Sequence, residues 1–239
     1  MNKKILVVAA HPDDEAIGCG GTIARHRQSR DEVHLLIFCD GVTSRSYSVN
    51  QKISRAEEIR RNKSAIARRK KESYAAAEIL GIARECVHHL NLADQRLDIY
   101  PFLDLVKYIE EIKKEVQPDV VYTHFGNDLN LDHRLVSQAA ATAFRPRRRE
   151  KSVSMFQFEV PESTYLSIPD GKKAFQPNHF VDISETLTLK LKALAAYESE
   201  RRDYPDLRSA QWIEELAKHR GKIKRMKFAE GFLELKRSL

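Results

Sequence analysis

Short apolar runs alternate along this chain with longer stretches of helical period. Ile5-Leu6-Val7-Val8-Ala9 fills a first buried strand over residues 4–9, and residues 33–40, rich in Leu, Ile and Phe, form a second. Between them Gly18-Cys19-Gly20-Gly21 leads into a helix over residues 22–30. Asp40-Gly41 marks a turn, and the polar, aperiodic residues 43–51 predict a mobile loop. Residues 53–80 carry a long helical pattern with a break near Asn62 and Lys63, and Gly81 is placed to end it. A short third strand covers residues 86–90. A helix follows over residues 100–116, with Leu103, Val106, Ile109 and Ile112 on one face and Pro118 beyond it. Residues 119–122 form the next strand, and a helix runs from near His133 to Phe144.

Past residue 151 the pattern changes. Residues 153–160 alternate as a strand, and residues 180–183 form a short second one. Ser184 is placed to cap a helix running to about Glu200, with Glu185 in its first turn. A last helix covers residues 207–218, with Gly221 after it. Strand–helix alternation of this kind predicts an α/β fold, a right-handed and mostly parallel sheet covered on both faces. Residues 1–150 make the core, and residues 151–239 extend the same single domain and shape its substrate side.

Composition narrows the function classes. The 239 residues contain no run near the roughly 20 apolar residues of a membrane span. Only six apolar residues in a row, Ile5 to Ala10, precede His11, too few for a signal peptide. The three cysteines are odd in number and far apart, which fits free thiols in a reducing, cytoplasmic setting. Net charge is +7, with Lys and Arg concentrated in residues 60–71 and 145–151. Such clusters are solvated faces, or a surface that attracts an anionic small molecule. A pI near 9.2 raises the nucleic-acid alternative. No aromatics interleave with the basic residues, and no nucleic-acid partner is expected.

The chemistry concentrates in Ala10-His11-Pro12-Asp13-Asp14-Glu15, at the C-terminal end of the first strand. In open α/β sheets ligands bind at that edge. His11 and Asp14 are three residues apart, so one turn brings both to one side. Imidazole nitrogen with carboxylate oxygen suits Zn²⁺ or another borderline divalent metal. Asp13, pointing elsewhere, is free to act as a base on water. The competing reading is a helix start capped by Asp13 or Asp14. A third ligand must come from a distant segment. His133, beside Asp132 in a second polar loop that follows a core strand, is the best candidate, with Asp132 or a backbone carbonyl orienting its ring. His124 competes with it.

These residues resemble the opening signature of the PIG-L/LmbE-like N-deacetylases. Further stretches resemble that family too: Arg69-x-x-Glu72 before Leu80-Gly81, Asp94, and Asn127-Asp128-x-Asn130-x-Asp132-His133-Arg134. Pro177-Asn178-x-x-Val181-Asp182-Ile183-Ser184 and Arg220-Gly221 with Ala229-Glu230-Gly231-Phe232 extend the likeness over nearly the whole chain. The resemblance implies a Rossmann-like three-layer fold and a mononuclear hydrolase using zinc, or Fe²⁺ or another divalent metal. Its substrates are N-acetylated amino sugars of the N-acetylglucosamine type, carried on a further group. It implies His11, Asp14 and His133 as ligands, Asp13 as general base, and Arg69 and Asp94 as substrate contacts. Many members have a histidine where this chain has Asn130. The oxyanion donor is then Asn130 or His124. An amidase for a larger acyl group and a metal- or sugar-binding homologue of weak activity are the alternatives. Oligomeric state, homo-oligomer included, stays open.

Overall fold

The structure, a computed structural model, describes residues 2–51, 53–148, 150–166 and 174–236. Seven strands form one sheet: β1 (Lys4–Ala9), β2 (Glu32–Cys39), β3 (Val87–Leu92), β4 (Val120–His124), β5 (Ser154–Phe158), β6 (His179–Asp182) and β7 (Ala229–Lys236). Their order is β3-β2-β1-β4-β5-β7-β6. The first five are parallel, and β7 runs antiparallel to both β5 and β6. β1 lies inside the sheet and is buried from Ile5 to Ala9, as its unbroken apolar run requires. Ile5 and Val7 face a cluster built with α1 (Asp14–Gln28), α3 (Lys63–Ile79) and α7 (Leu187–Ala196). Leu6 and Val8 face the opposite cluster, built with α4 (Phe102–Val116) and α5 (Leu131–Ala143). The expected α/β fold with helices on both faces is what forms. Strand order reverses between β1 and β4, so the loops after these two strands open a crevice at the sheet's C-terminal edge.

Several boundaries match the expectation closely. The break at Asn62 separates α2 (Arg55–Arg61) from α3. Gly81 takes φ 81° after α3, with Gly81 N–H on the Glu78 carbonyl at 3.0 Å and Ile82 N–H on that of Ala77 at 2.9 Å.

Other elements differ. The first helix begins at Asp14, not residue 22, and runs through the glycines with a kink at Cys19. A Cβ on Gly18 would lie 2.2 Å from the Phe158 ring, and one on Gly21 2.8 Å from Ile183. These glycines serve close packing of a helix rather than a turn. Leu103, expected in the core, is 62% exposed, because α4 turns Leu105, Val106 and Ile109 inward. Ser184 caps nothing: its N–H closes a turn on Asp182 Oδ1 at 2.9 Å, and α7 starts three residues later. Ser209 caps the last helix, α8 (Ala210–Ile223), which continues past Lys218 and through Gly221. Short α6 (Pro161–Tyr165) and strand β7 had no counterpart in the sequence pattern. Within residues 43–51, Thr43–Ser46 form a 3₁₀ turn pinned by Asp40, whose Oδ1 accepts from the Val42 and Thr43 N–H groups, both at 2.9 Å.

Candidate active site

β1 ends at Ala9, and the loop after it places His11, Asp13 and Asp14 in the crevice. β4 ends at His124, and its loop runs into α5 with Asp132 and His133 on the first turn. The two loops meet. Three donor atoms form a triangle: His11 Nδ1 to His133 Nε2 is 3.2 Å, His11 Nδ1 to Asp14 Oδ2 is 3.3 Å, and His133 Nε2 to Asp14 Oδ2 is 3.4 Å. Bonds of about 2.0–2.2 Å at tetrahedral angles put neighbouring ligands about 3.3–3.5 Å apart. The triangle therefore has the dimensions of three corners of a tetrahedral metal site.

The tautomers agree. His11 Nε2 faces Asp132 Oδ2 at 3.1 Å and Asp94 Oδ1 at 3.3 Å. His133 Nδ1 faces Asp128 Oδ1 at 3.2 Å. Carboxylates only accept, so each ring's single proton belongs on that far nitrogen. His11 Nδ1 and His133 Nε2 then both carry lone pairs and cannot bond each other. A cation between them resolves this, and histidine ligands are held by carboxylates in this way in known metal sites. Burial works against a charge on either ring, yet the surrounding carboxylates raise His133 to about 9 and His11 well above its ordinary value. The spot draws positive charge, which protons or a metal supply. His11, Cys39 and Asp132 form a second compact group. It is a hydrogen-bond chain to His11: Cys39 Sγ donates to Asp132 Oδ2 at 3.3 Å, and Leu97 N–H holds the other carboxylate oxygen at 3.0 Å.

Asp13 stands beside the triangle, buried, with its carboxylate against Arg208 Nη2. Arg69 Nη1 lies 3.8 Å from the same oxygen, and Arg69 Nη2 pairs with Glu200. Burial pushes the Asp13 carboxyl up to about 6, against the pull of Arg208. A group tuned near neutral pH is suited to taking and returning a proton. The cavity beside it, about 490 Å³, is lined among others by Arg45, Arg69, Asp94, Asn130, Glu200 and Arg208.

The family model for PIG-L, the GlcNAc-PI de-N-acetylases, matches residues 6–144, more than half of the chain. The chain belongs to this family. It is 27% identical over 251 residues to the diacetylchitobiose deacetylase of Thermococcus kodakarensis, covering 96% of this chain and 82% of that one. The structure of the N,N'-diacetylchitobiose deacetylase from Pyrococcus horikoshii superposes with a TM-score of 0.73 at 24% identity, over 98% of this chain and 84% of the other. GalB, the 4-carboxy-2-hydroxymuconate hydratase of Pseudomonas putida KT2440, matches with a TM-score of 0.73 at 22% identity, over 99% and 98%. Identities this low establish the PIG-L fold and leave the chemistry to the site.

Within that fold the residues singled out from sequence separate into two sets. His11, Asp13, Asp14, Arg69, Asp94, Asn130 and His133 all line the one cavity. Asn130 caps α5: its Oδ1 accepts the Asp132 N–H at 2.9 Å, which turns its NH₂ group away from the helix. Asp132 holds His11 rather than His133; Asp128 holds His133 instead. His124 is fully buried beneath His133, stacked at 3.9 Å, and does not line the cavity. Its Nε2 accepts the Ala10 N–H at 2.8 Å, and burial with the neighbouring His133 pushes its pKa down to about 3. It is a neutral packing ring, poorly placed to touch substrate. In the basic cluster at residues 60–71, Arg60 and Arg61 share Glu57 at 2.7 and 2.8 Å, and only Arg69 lines the cavity. Sequence reasoning missed Asp128, Glu200 and Arg208. Asp128 was signalled by its place in the polar loop after β4. Arg208, just before the cap of α8, had no local signal.

Proposed function

We propose that this chain is a zinc-dependent N-deacetylase that hydrolyses the acetamide of an N-acetylated amino sugar of the N-acetylglucosamine type. Its site residues are His11, Asp14 and His133 as metal ligands and Asp13 as general base. The observation that carries it is the triangle of two imidazole nitrogens and one carboxylate oxygen with Asp13 at its side. Membership of the family and the deacetylase names of its relatives supply the reaction class. Zn²⁺ is preferred on ligand chemistry; Fe²⁺ would fit the same donors.

When bound, the metal lowers the pKa of a water and polarises the acetamide carbonyl. The residues of the chain do the rest. Asp13 accepts the proton of the attacking water. The NH₂ of Asn130, freed by the cap, donates to the oxygen that becomes negative. Asp13 then returns the proton to the departing sugar amine, and acetate leaves. Arg69 and Asp94, which both line the cavity, bind the sugar. Arg45 and Arg208 line the same cavity, each already paired there, Arg45 with Glu200 at 2.5 Å and Arg208 with Asp13. No helix among the described residues is long and apolar enough to cross a membrane; the ground for placing the protein in the cytoplasm is its three free cysteines.

The test is acetate release from free, phosphorylated, nucleotide-linked and lipid-linked N-acetylglucosamine and from diacetylchitobiose, before and after chelation. Activity on at least one, lost on chelation and restored by Zn²⁺, is expected. Asp13→Asn should keep the metal and lose about 10²-fold or more in kcat, the usual range for a general base. No acetate from any conjugate in the metal-loaded protein, or normal turnover in Asp13→Asn, would refute the assignment. Release of a larger acid only from longer N-acyl sugars would select the amidase alternative.

A further inference from the structure

Asp13 has a backbone conformation that a residue with a Cβ rarely adopts, with φ 114° and ψ −23°. It also occupies the N-cap position of α1, where an aspartate ordinarily turns its carboxylate onto the helix's free N–H groups. Here its side chain makes no cap bond. The carboxylate stays in the cavity instead, paired with Arg208 and 3.8 Å from Arg69, and the strained peptide that carries it must be held as well.

Two residues outside the cavity do this. The Asp13 N–H donates to Glu15 Oε2 at 3.1 Å, and Glu15 Oε1 accepts from the Tyr197 hydroxyl at 2.5 Å. Glu15 and Tyr197 are both 0% exposed, and neither lines the cavity. Tyr197 directly follows α7, its ring packed in the same core as Ile5 and Val7. A side chain anchored in the second half of the chain thus reaches through Glu15 to the peptide of Asp13. The geometry points to Glu15 and Tyr197 as positioning residues for Asp13: Glu15 holds the left-handed turn by its peptide N–H, and Tyr197 holds Glu15. With the chain intact, Asp13 is presented to water and substrate. With it broken, the Asp13 peptide relaxes toward the ordinary cap conformation and its carboxylate shifts from its place beside Arg208 and Arg69. This rests on the reading of Asp13 as the general base.

The experiment compares kcat, KM, bound zinc and thermal stability in Glu15→Leu, Glu15→Gln, Tyr197→Phe and the Glu15→Leu/Tyr197→Phe pair, with Asp13→Asn as control. Glu15→Leu should lower kcat tenfold or more, with KM within twofold and zinc still stoichiometric. Tyr197→Phe, one oxygen smaller, should lower kcat about three- to tenfold. The pair should fall no further than Glu15→Leu alone, since both act through one connection. Glu15→Gln should recover most of the rate, because its amide oxygen still accepts the Asp13 N–H. Lowered stability with unchanged kcat in the single variants, additive losses in the pair, or Gln no better than Leu would each overturn the positioning. If Glu15→Leu does not fold, Tyr197→Phe decides by its kcat. Normal kcat in the Glu15 and Tyr197 variants beside an inactive Asp13→Asn overturns the positioning alone. Full activity in Asp13→Asn overturns the base assignment and this inference with it.

Discussion

Asp128 and His133 differ in what each loses when removed. His133 offers a lone pair to the triangle; Asp128 fixes which nitrogen offers it, through the 3.2 Å contact to Nδ1. His133→Ala should abolish stoichiometric metal binding. Asp128→Asn keeps an oxygen at that place but removes the charge, so metal affinity should fall about 10- to 100-fold. Titration of the chelator-stripped proteins with zinc checks both. Undiminished stoichiometry and affinity in His133→Ala would mean that other residues hold the cation. At this scale the sequence was legible where chemistry was dense. One histidine and three carboxylates within Ala10–Glu15, and Asp-His after β4, announced themselves. Asp132 was visible too, but its partner was not: reaching His11 depends on how α5 sits across β1, which no local spacing encodes. Arg208 and Glu200 were illegible because isolated charges on a basic chain look like solvated surface until folding buries them together.

The helix α1 shows how a glycine pattern misleads about an element while being right about its importance. Gly18-Cys19-Gly20-Gly21 reads as a turn because glycine weakens helices by about 1 kcal/mol relative to alanine. Here packing overrides propensity, since Phe158 leaves Gly18 no room for a methyl group. In Gly18→Ala, the helix gain of about 1 kcal/mol opposes an overpacking cost of about 1–3 kcal/mol or more. Phe158 is wholly buried and has nowhere to turn, so the clash wins. A net loss of about 2 kcal/mol should lower Tm by about 4–8 °C for a chain of this size. Gly20→Ala is the contrast: its nearest neighbour would be the Lys190 side chain at 3.3 Å, and the change should stay within about 1 kcal/mol. Thermal melts of the two variants decide. Equal Tm values would show that α1 yields to admit the methyl group. Strands β1, β2 and β4 were legible because runs of Ile, Leu and Val buried on both faces have few other uses. β7 was hidden: Ala229-Glu230-Gly231-Phe232 has a charged residue and a glycine where a central strand is normally apolar, and its pairing partners lie far off in sequence.

The family match ends at residue 144, yet side chains beyond it complete the site. Phe158 on β5 seats Gly18, and Glu230 on β7 accepts the N–H groups of Gly21 at 3.0 Å and Thr22 at 2.7 Å, beyond the kink in α1. Lys190 on α7 donates to the Ile17 carbonyl at 2.6 Å and to Glu230 at 2.5 Å, deep in the protein. Tyr197 reaches the loop of Asp13 through Glu15, and Arg208 and Glu200 reach it directly or through Arg69. Residues 1–150 therefore lack their own closure, and we expect the chain to unfold as one cooperative unit. Lys190→Met tests this because it cuts the connection of α7 to both α1 and β7. Removing one member of a buried ion pair costs about 3–5 kcal/mol, and the two backbone donors left on Glu230 put this case near the lower figure. A loss of about 3 kcal/mol corresponds to a Tm about 6–12 °C lower. Far-UV circular dichroism reports on the whole chain, whereas the single tryptophan, Trp212 on α8, reports only on the second half. With one unit the two signals melt together before and after the substitution, and both shift down. A tryptophan transition that moves alone, leaving the circular dichroism of the first half in place, would divide the molecule into two independent domains.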